Sequence, residues 1–156
     1  MRLLPCTLDH AATVASWPVS AAEVVQWCGL REFPVTGATV AAWQREPDVA
    51  ARVLVDGEHL LGYGELWFDA EEDEVELARI VVAPGVRGRG LGRELVRGLL
   101  AEARLSGLSD VFMRVHPDNA AALRCYRGAG FETVDAESAA AWNAGQPVAY
   151  VWLRHA

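Results

Sequence analysis

The chain has 156 residues, a net charge of −7 and 52% apolar residues. That length predicts one domain over 1–156 with a core large enough to fold without staples, and the acidic balance argues against a general nucleic-acid binder. Three cysteines without Cys-x-x-Cys and four histidines without His-Glu-x-x-His predict neither a disulfide framework nor a metal site. No leader-like segment and no apolar run of ~20 residues occurs, so the expectation is a cytoplasmic protein that does not engage a membrane.

In chain order, Leu3–Thr7 reads as a short edge strand. Asp9 is placed to cap a helix reaching Trp17. Ser20 and Glu23 make a Ser-x-x-Glu box that opens a second helix, to about Trp27, stopped by Gly29. A third short helix is expected over Thr39–Arg45, ended before Pro47. Arg52–Val55 and His59–Phe68 form a hairpin about Asp56-Gly57, and Glu74–Val82 returns as a third antiparallel strand. Gly62 and Gly64 inside the middle strand predict a bulge or a close backbone approach.

Beyond Ala83-Pro84-Gly85, apolar residues recur at Leu91, Leu95, Val96, Leu99, Leu100 and Ala103, a helical spacing that Gly107 stops. Val111–Val115 is a strand reached by that helical crossover, so it should lie parallel to the strand ending at Val82. Asn119 or Asp118 caps a short helix closed by Gly130. Phe131–Val134 and Val148–Leu153 are the last strands, with a loop or weak helix over Glu137–Gly145. The sum is a mixed α/β fold, a mostly antiparallel six- or seven-stranded sheet flanked by helices, with one parallel step.

The chemistry concentrates between Glu76 and Arg93. Six of the fourteen arginines fall between Arg79 and Arg104, just after the acidic run Glu71–Glu74. A buried strand, a glycine-arginine turn and a helix start follow one another. The first turn of a helix has N–H groups without intrahelical partners, and its dipole makes that end positive. Gly88, Gly90 and Gly92 would let a ligand approach the backbone, while Arg87, Arg89 and Arg93 add forked donors suited to phosphate. This is a cradle for an anion such as a pyrophosphate. A Walker A loop is excluded because Gly90 is followed by Leu91-Gly92 and the chain has no lysine; a dinucleotide fingerprint would need glycine where Arg93 stands.

Arg87-Gly88-Arg89-Gly90-Leu91-Gly92 fits the pattern Arg/Gln-x-x-Gly-x-Gly/Ala and resembles the acyl-coenzyme A loop of the GCN5-related N-acetyltransferases. A second block resembles the same family: Asn119, Ala120-Ala121, Tyr126, Gly130 and Phe131. Together the similarity covers roughly residues 50 to 154, and the N-terminal segment shares only a strand-then-helices layout.

The resemblance implies transfer of an acetyl group from acetyl-coenzyme A to an amine, without a metal. Such a reaction needs an oriented thioester, a neutral amine and a stabilised or protonated leaving thiolate. The resemblance further implies that the backbone of Ile80, Val81 and Val82 pairs with the pantetheine arm and that residues Arg87 to Arg93 hold the pyrophosphate. Asn119 would bond the pantetheine, serve as a plain helix cap, or do both. Tyr126 matches the position of the general acid, against a reading as a core aromatic. Glu76, eleven positions before Arg87, matches the spacing of a catalytic glutamate; Glu65 is the runner-up, and either could instead be an ordinary strand carboxylate, with water as base. Trp17, Trp27, Phe33 and Trp67 line an acceptor pocket or simply pack helices on the sheet.

The expected acceptor is a small-molecule amine, such as a polyamine, amino acid or aminoglycoside, ahead of a protein N-terminus or lysine. Apolar edge strands leave room for a homodimer. The competing function is a non-catalytic acyl-coenzyme A sensor, which would keep the cradle and have no use for Tyr126.

Overall fold

The computed structural model describes residues 1–156. β-Branched and alternating segments supply seven strands: β1 (Arg2–Pro5), β2 (Val49–Asp56), β3 (His59–Asp69), β4 (Glu74–Val82), β5 (Asp110–Val115), β6 (Phe131–Thr133) and β7 (Val151–His155). They form one sheet in the order β1-β2-β3-β4-β5-β7-β6. Every neighbouring pair is antiparallel except β4–β5, as the crossover rule requires.

Six helices cover it: α1 (Leu8–Ala15), α2 (Ala21–Cys28), α3 (Gly37–Trp43), α4 (Leu91–Leu105), α5 (Ala120–Gly128) and α6 (Ala136–Asn143). Their ends differ in places from the sequence reading. Thr7, not Asp9, caps α1: its hydroxyl accepts from the His10 N–H while His10 Nδ1 accepts from the Thr7 N–H. Histidine here takes the place that a glutamate holds in the usual box. Ser20 caps α2 through the Glu23 N–H as expected, but the Glu23 carboxylate bonds Val19 N–H, one residue before the cap. Thr36 caps α3, which begins two residues before the expected Thr39. Asp135 caps a real helix, α6, in the stretch that reads as a loop or weak helix.

The two faces of the sheet carry separate cores. On one, α4 and α5 pack Leu95, Val96, Leu99 and Tyr126 against Leu66, Leu77, Val111 and Met113. On the other, α1, α2 and α3 pack Val14, Val24, Val40 and Trp43 against Val53, Val55 and Tyr63. Each fully buried aliphatic side chain contributes about 1.5–3 kcal/mol. Gly62 and Gly64 are what let α4 sit down. A Cβ on Gly64 would stand 2.6 Å from Leu99 Cδ1, and one on Gly62 would stand 3.0 Å from Leu95 Cδ2. So the glycines of β3 serve close approach.

The bulge is on the facing strand. Tyr63 pairs with Val81 and Glu65 with Ala78, so Gly64 faces both Arg79 and Ile80. Arg79 adopts φ +49°, a left-handed conformation uncommon for a side-chain-bearing residue. Past that point β4 leaves β5: the pair is hydrogen-bonded only from Glu74–Glu76 to Asp110–Phe112, while β5 stays with β7 to Val115. A V-shaped gap opens between Ile80–Val82 and the end of β5.

Candidate active site

The gap leads into two adjoining cavities. The larger, about 590 Å³, is lined by Ile80–Val82 on one wall, by Val86–Gly88 and Gly90–Arg93 at its floor, and by α5 through Asn119, Cys125 and Tyr126. The smaller, about 130 Å³, lies on the α2 side of the bulge, among Glu76, Arg79, Arg114, His116 and Tyr150. The two meet at Gln26, Trp27, Ile80, Asn119 and Tyr126, which line both.

A short 3₁₀ turn at Pro84–Val86 delivers the chain to the α4 N-terminus. Gly88 and Gly90 both have φ near +80°, and nothing lies within 4 Å of where a side chain would stand. Gly90 is the N-cap and offers no side-chain oxygen, so the α4 amides lack a side-chain partner at that end. Gly92 lines the larger cavity and has a packing role as well. A Cβ there would meet Cys125 Sγ at 3.1 Å, so it lets α5 close on α4. The larger cavity holds three arginines, Arg87, Arg93 and Arg124, against one carboxylate, Glu23. That is a local positive site on a chain of net charge −7. Arg89 is exposed and stands outside the cavity lining.

Arg87 donates to the Val82 carbonyl at 3.2 Å and to Glu23 Oε1 at 2.9 Å. Glu23 therefore bridges α2 and the loop across the cavity mouth. Val19 N–H first, and Arg87 second, hold its carboxyl below the usual range. The pair is half-exposed, and such pairs contribute about 0–1 kcal/mol, so an arriving diphosphate can take the arginine at little cost.

Asn119 caps α5 through Oδ1, which accepts from the Ala122 N–H at 3.2 Å. That fixes its amide orientation and leaves the Nδ2 donors at the junction of the cavities. Tyr126 is buried, yet its hydroxyl has no partner in the protein and is not sealed from solvent. Its phenol therefore opens to the junction. Burial pushes its pKa well above that of a free phenol, and Cys125 adds to the rise. The group is an intact proton donor at neutral pH.

Glu76 lines the smaller cavity with both oxygens occupied: Arg114 Nε and Nη2 donate to them at 2.8 Å each. Glu65 is elsewhere. It is fully buried behind the bulge, where it accepts from Tyr63 Oη, from Trp67 Nε1 at 2.8 Å and from Arg79 Nη1 at 3.0 Å. The Arg79 guanidinium lies over the rings of Trp43 and Trp67, at 4.1 and 4.9 Å. This carboxylate–guanidinium–indole cluster holds the left-handed Arg79 in place. Trp27 Nε1 adds a bond at 2.8 Å to the Arg79 carbonyl.

Of the four aromatics singled out from sequence, Trp27 stands at the junction and Trp67 lines the smaller cavity. Trp17 is buried in the α1–α3 core, and Phe33 is exposed and lines neither cavity. Sequence reasoning missed Glu23, Gln26, Arg114, Arg124, His116 and Tyr150. The spacing of Arg114 on β5, opposite in face to Val111, Met113 and Val115, was the one available signal.

Residues 13–131 match the Acetyltransferase (GNAT) family, and the chain belongs to that family. It is 35% identical over 140 residues to a mycothiol acetyltransferase of Corynebacterium efficiens, covering 86% of this chain and 45% of that protein. It is 36% identical over 87 residues to a streptothricin acetyltransferase of Streptomyces lavendulae, covering 56% and 46%. The chain thus spans under half the length of these curated relatives.

Among solved structures, aminoglycoside acetyltransferase AAC(6')-Ib in complex with ribostamycin and coenzyme A superposes with a TM-score of 0.74 at 22% identity, covering 98% of this chain and 91% of that one. A spermidine N-acetyltransferase from Vibrio cholerae, in complex with CoA and spermine, gives 0.73 at 17%, covering 86% and 82%. These likenesses establish the fold. No helix is long and apolar enough to cross a membrane.

Proposed function

We propose that the chain is an acetyl-coenzyme A-dependent N-acetyltransferase acting on a small-molecule primary amine, built as one domain and working in the cytoplasm. The observation that carries this reading is the meeting of a cationic, nucleotide-sized cavity with a small second cavity at an unpartnered phenol, Tyr126. The residues fit the cofactor: exposed glycine backbone, three guanidinium groups and a splayed strand edge converge on one space. Three free cysteines suit a reducing compartment.

Acetyl-coenzyme A supplies an activated acyl carbon and a thiolate leaving group. Gly88, Gly90 and the α4 amides would hold the diphosphate with Arg87 and Arg93 beside them. Ile80–Val82 would pair with the pantetheine arm as an added strand, since β5 no longer occupies that edge, and Asn119 Nδ2 would donate to it. The amine nitrogen attacks the acyl carbon, the carbon–sulfur bond breaks, and Tyr126 Oη gives its proton to the departing sulfur. Both Glu76 oxygens are held by Arg114, which favours water as the carrier of the amine proton; Glu65, sealed behind the bulge, is the less suited carboxylate.

The test is release of thiol from acetyl-coenzyme A across a broad panel of amines. Acceleration by at least one amine is expected. Cofactor binding without acceleration by any would replace the transferase with an acyl-coenzyme A sensor.

A further inference from the structure

We propose that the acceptor is a small α-amino acyl compound, an amine one carbon away from a carbonyl as in an amino-acid amide, and not a polycation. The proposal rests on the transferase reading above and concerns its smaller cavity.

A polyamine or aminoglycoside carries several ammonium groups, and each needs a free carboxylate or an equivalent acceptor. The smaller cavity has no carboxylate that is not already paired with a cation. Glu76 is its one acidic lining residue, and both of its oxygens are bound by Arg114. Glu65 lies behind the wall with its oxygens bonded to Tyr63, Trp67 and Arg79.

What the cavity presents instead is donors. Arg114 lines the cavity, and its Nη1 has only a 3.4 Å contact to Gln146 Oε1. His116 Nδ1 accepts from the Asp118 N–H, so the neutral ring carries its proton on Nε2. A cluster of N–H groups beside aromatic Trp67 and Tyr150 suits an acceptor with its own oxygen close to the amine.

At about 130 Å³ the cavity is of the size that holds a benzene-scale group, too small for an aminoglycoside ring system. The guanidinium groups of Arg79 and Arg114 already neutralise Glu65 and Glu76, so an entering ammonium meets no uncompensated negative charge and a neutral amine is favoured. An α-amine beside an acyl carbonyl has a pKa of about 8, against about 10.4 for a lysine-type amine, and so needs no free carboxylate as base.

The experiment measures kcat/KM with alaninamide, alanine, difluoroethylamine, spermidine and kanamycin. Difluoroethylamine is an amine of low basicity without a carbonyl, so it separates recognition from basicity. We expect alaninamide to exceed it by about 10- to 100-fold, the worth of one charge-assisted hydrogen bond, with spermidine and kanamycin lower still. Alanine against alaninamide tells whether a free carboxylate is used as well as a neutral carbonyl. Arg114→Lys keeps a charge against Glu76 but loses the guanidinium fork, and should raise KM for alaninamide by a larger factor than for difluoroethylamine; an equal change for both would overturn the role of the fork. Equal or faster turnover of difluoroethylamine, spermidine or kanamycin would overturn the proposal and leave the transferase intact. Silence of all five, with coenzyme A still bound, would count against the transferase reading itself.

Discussion

The two cavities are built by opposite means. The larger one is made of main chain: open glycines, unpaired helix amides, and a strand edge left bare by the bulge. The smaller one is made of side chains locked in pairs, Glu76 with Arg114 and Glu65 with Arg79. A surface of amides would suit any diphosphate-bearing ligand of the right length, whereas fixed pairs would restrict the guest. The difference teaches where generality and selectivity reside in the molecule.

The largest break in that contrast should come from the floor of the larger cavity. Gly90→Glu places a carboxylate where φ is +78° and where the diphosphate would lie, and calorimetry should detect no coenzyme A binding. Retained affinity would show that the main chain there is not the anion site. Next comes Tyr126→Phe, which removes the proton donor at the junction without disturbing either wall. The maximal rate should fall by about 100-fold or more with coenzyme A affinity unchanged.

Glu65→Gln tests the side-chain half. It leaves Arg79 largely buried and uncompensated, which costs about 3–5 kcal/mol and should appear as a lower urea midpoint. An unmoved midpoint would mean that the pair does not hold the bulge.

The smallest effect is alkaline. Burial, then the nearby Glu65 charge, pushes the Cys6 thiol from 9.0 up to about 11. Burial likewise raises the phenols of Tyr63 and Tyr126. Groups whose folded pKa is raised stabilise the protein below their unfolded pKa and lose that contribution as pH rises through the folded value. Stability should therefore fall between pH 9 and 11 for the Cys6 part, with the tyrosines adding above pH 10. Cys6→Ala should flatten the first part of the slope in urea titrations.

The same division governs what could be read from the sequence. A main-chain anion site needs glycines and cations in one contiguous run before a helix, and residues 87–93 display that run openly. The β2–β4 meander, the parallel step and the Gly64 approach were legible because each follows from local pattern and the crossover rule, whereas the insertion of β7 between β5 and β6 is set by tertiary packing and was not. The smaller cavity draws Gln26, Glu76, Arg114, His116 and Tyr150 from separate segments, joined only by tertiary packing. No spacing announces such a set. Arg79 shows the limit most clearly. It sits in a run that reads as plain strand, yet its backbone is left-handed and its side chain is held by Glu65 and by two indoles, all at least a dozen residues away in sequence. The Thr7–His10 cap was missed for a smaller reason, since histidine is not the residue expected at that place.

Trp27 belongs to the helix that walls the smaller cavity, and its indole N–H is fastened to the Arg79 carbonyl at the kink of the strand that edges the larger one. That single tether sets the spacing between the α2 wall of the smaller cavity and the bare strand edge of the larger one.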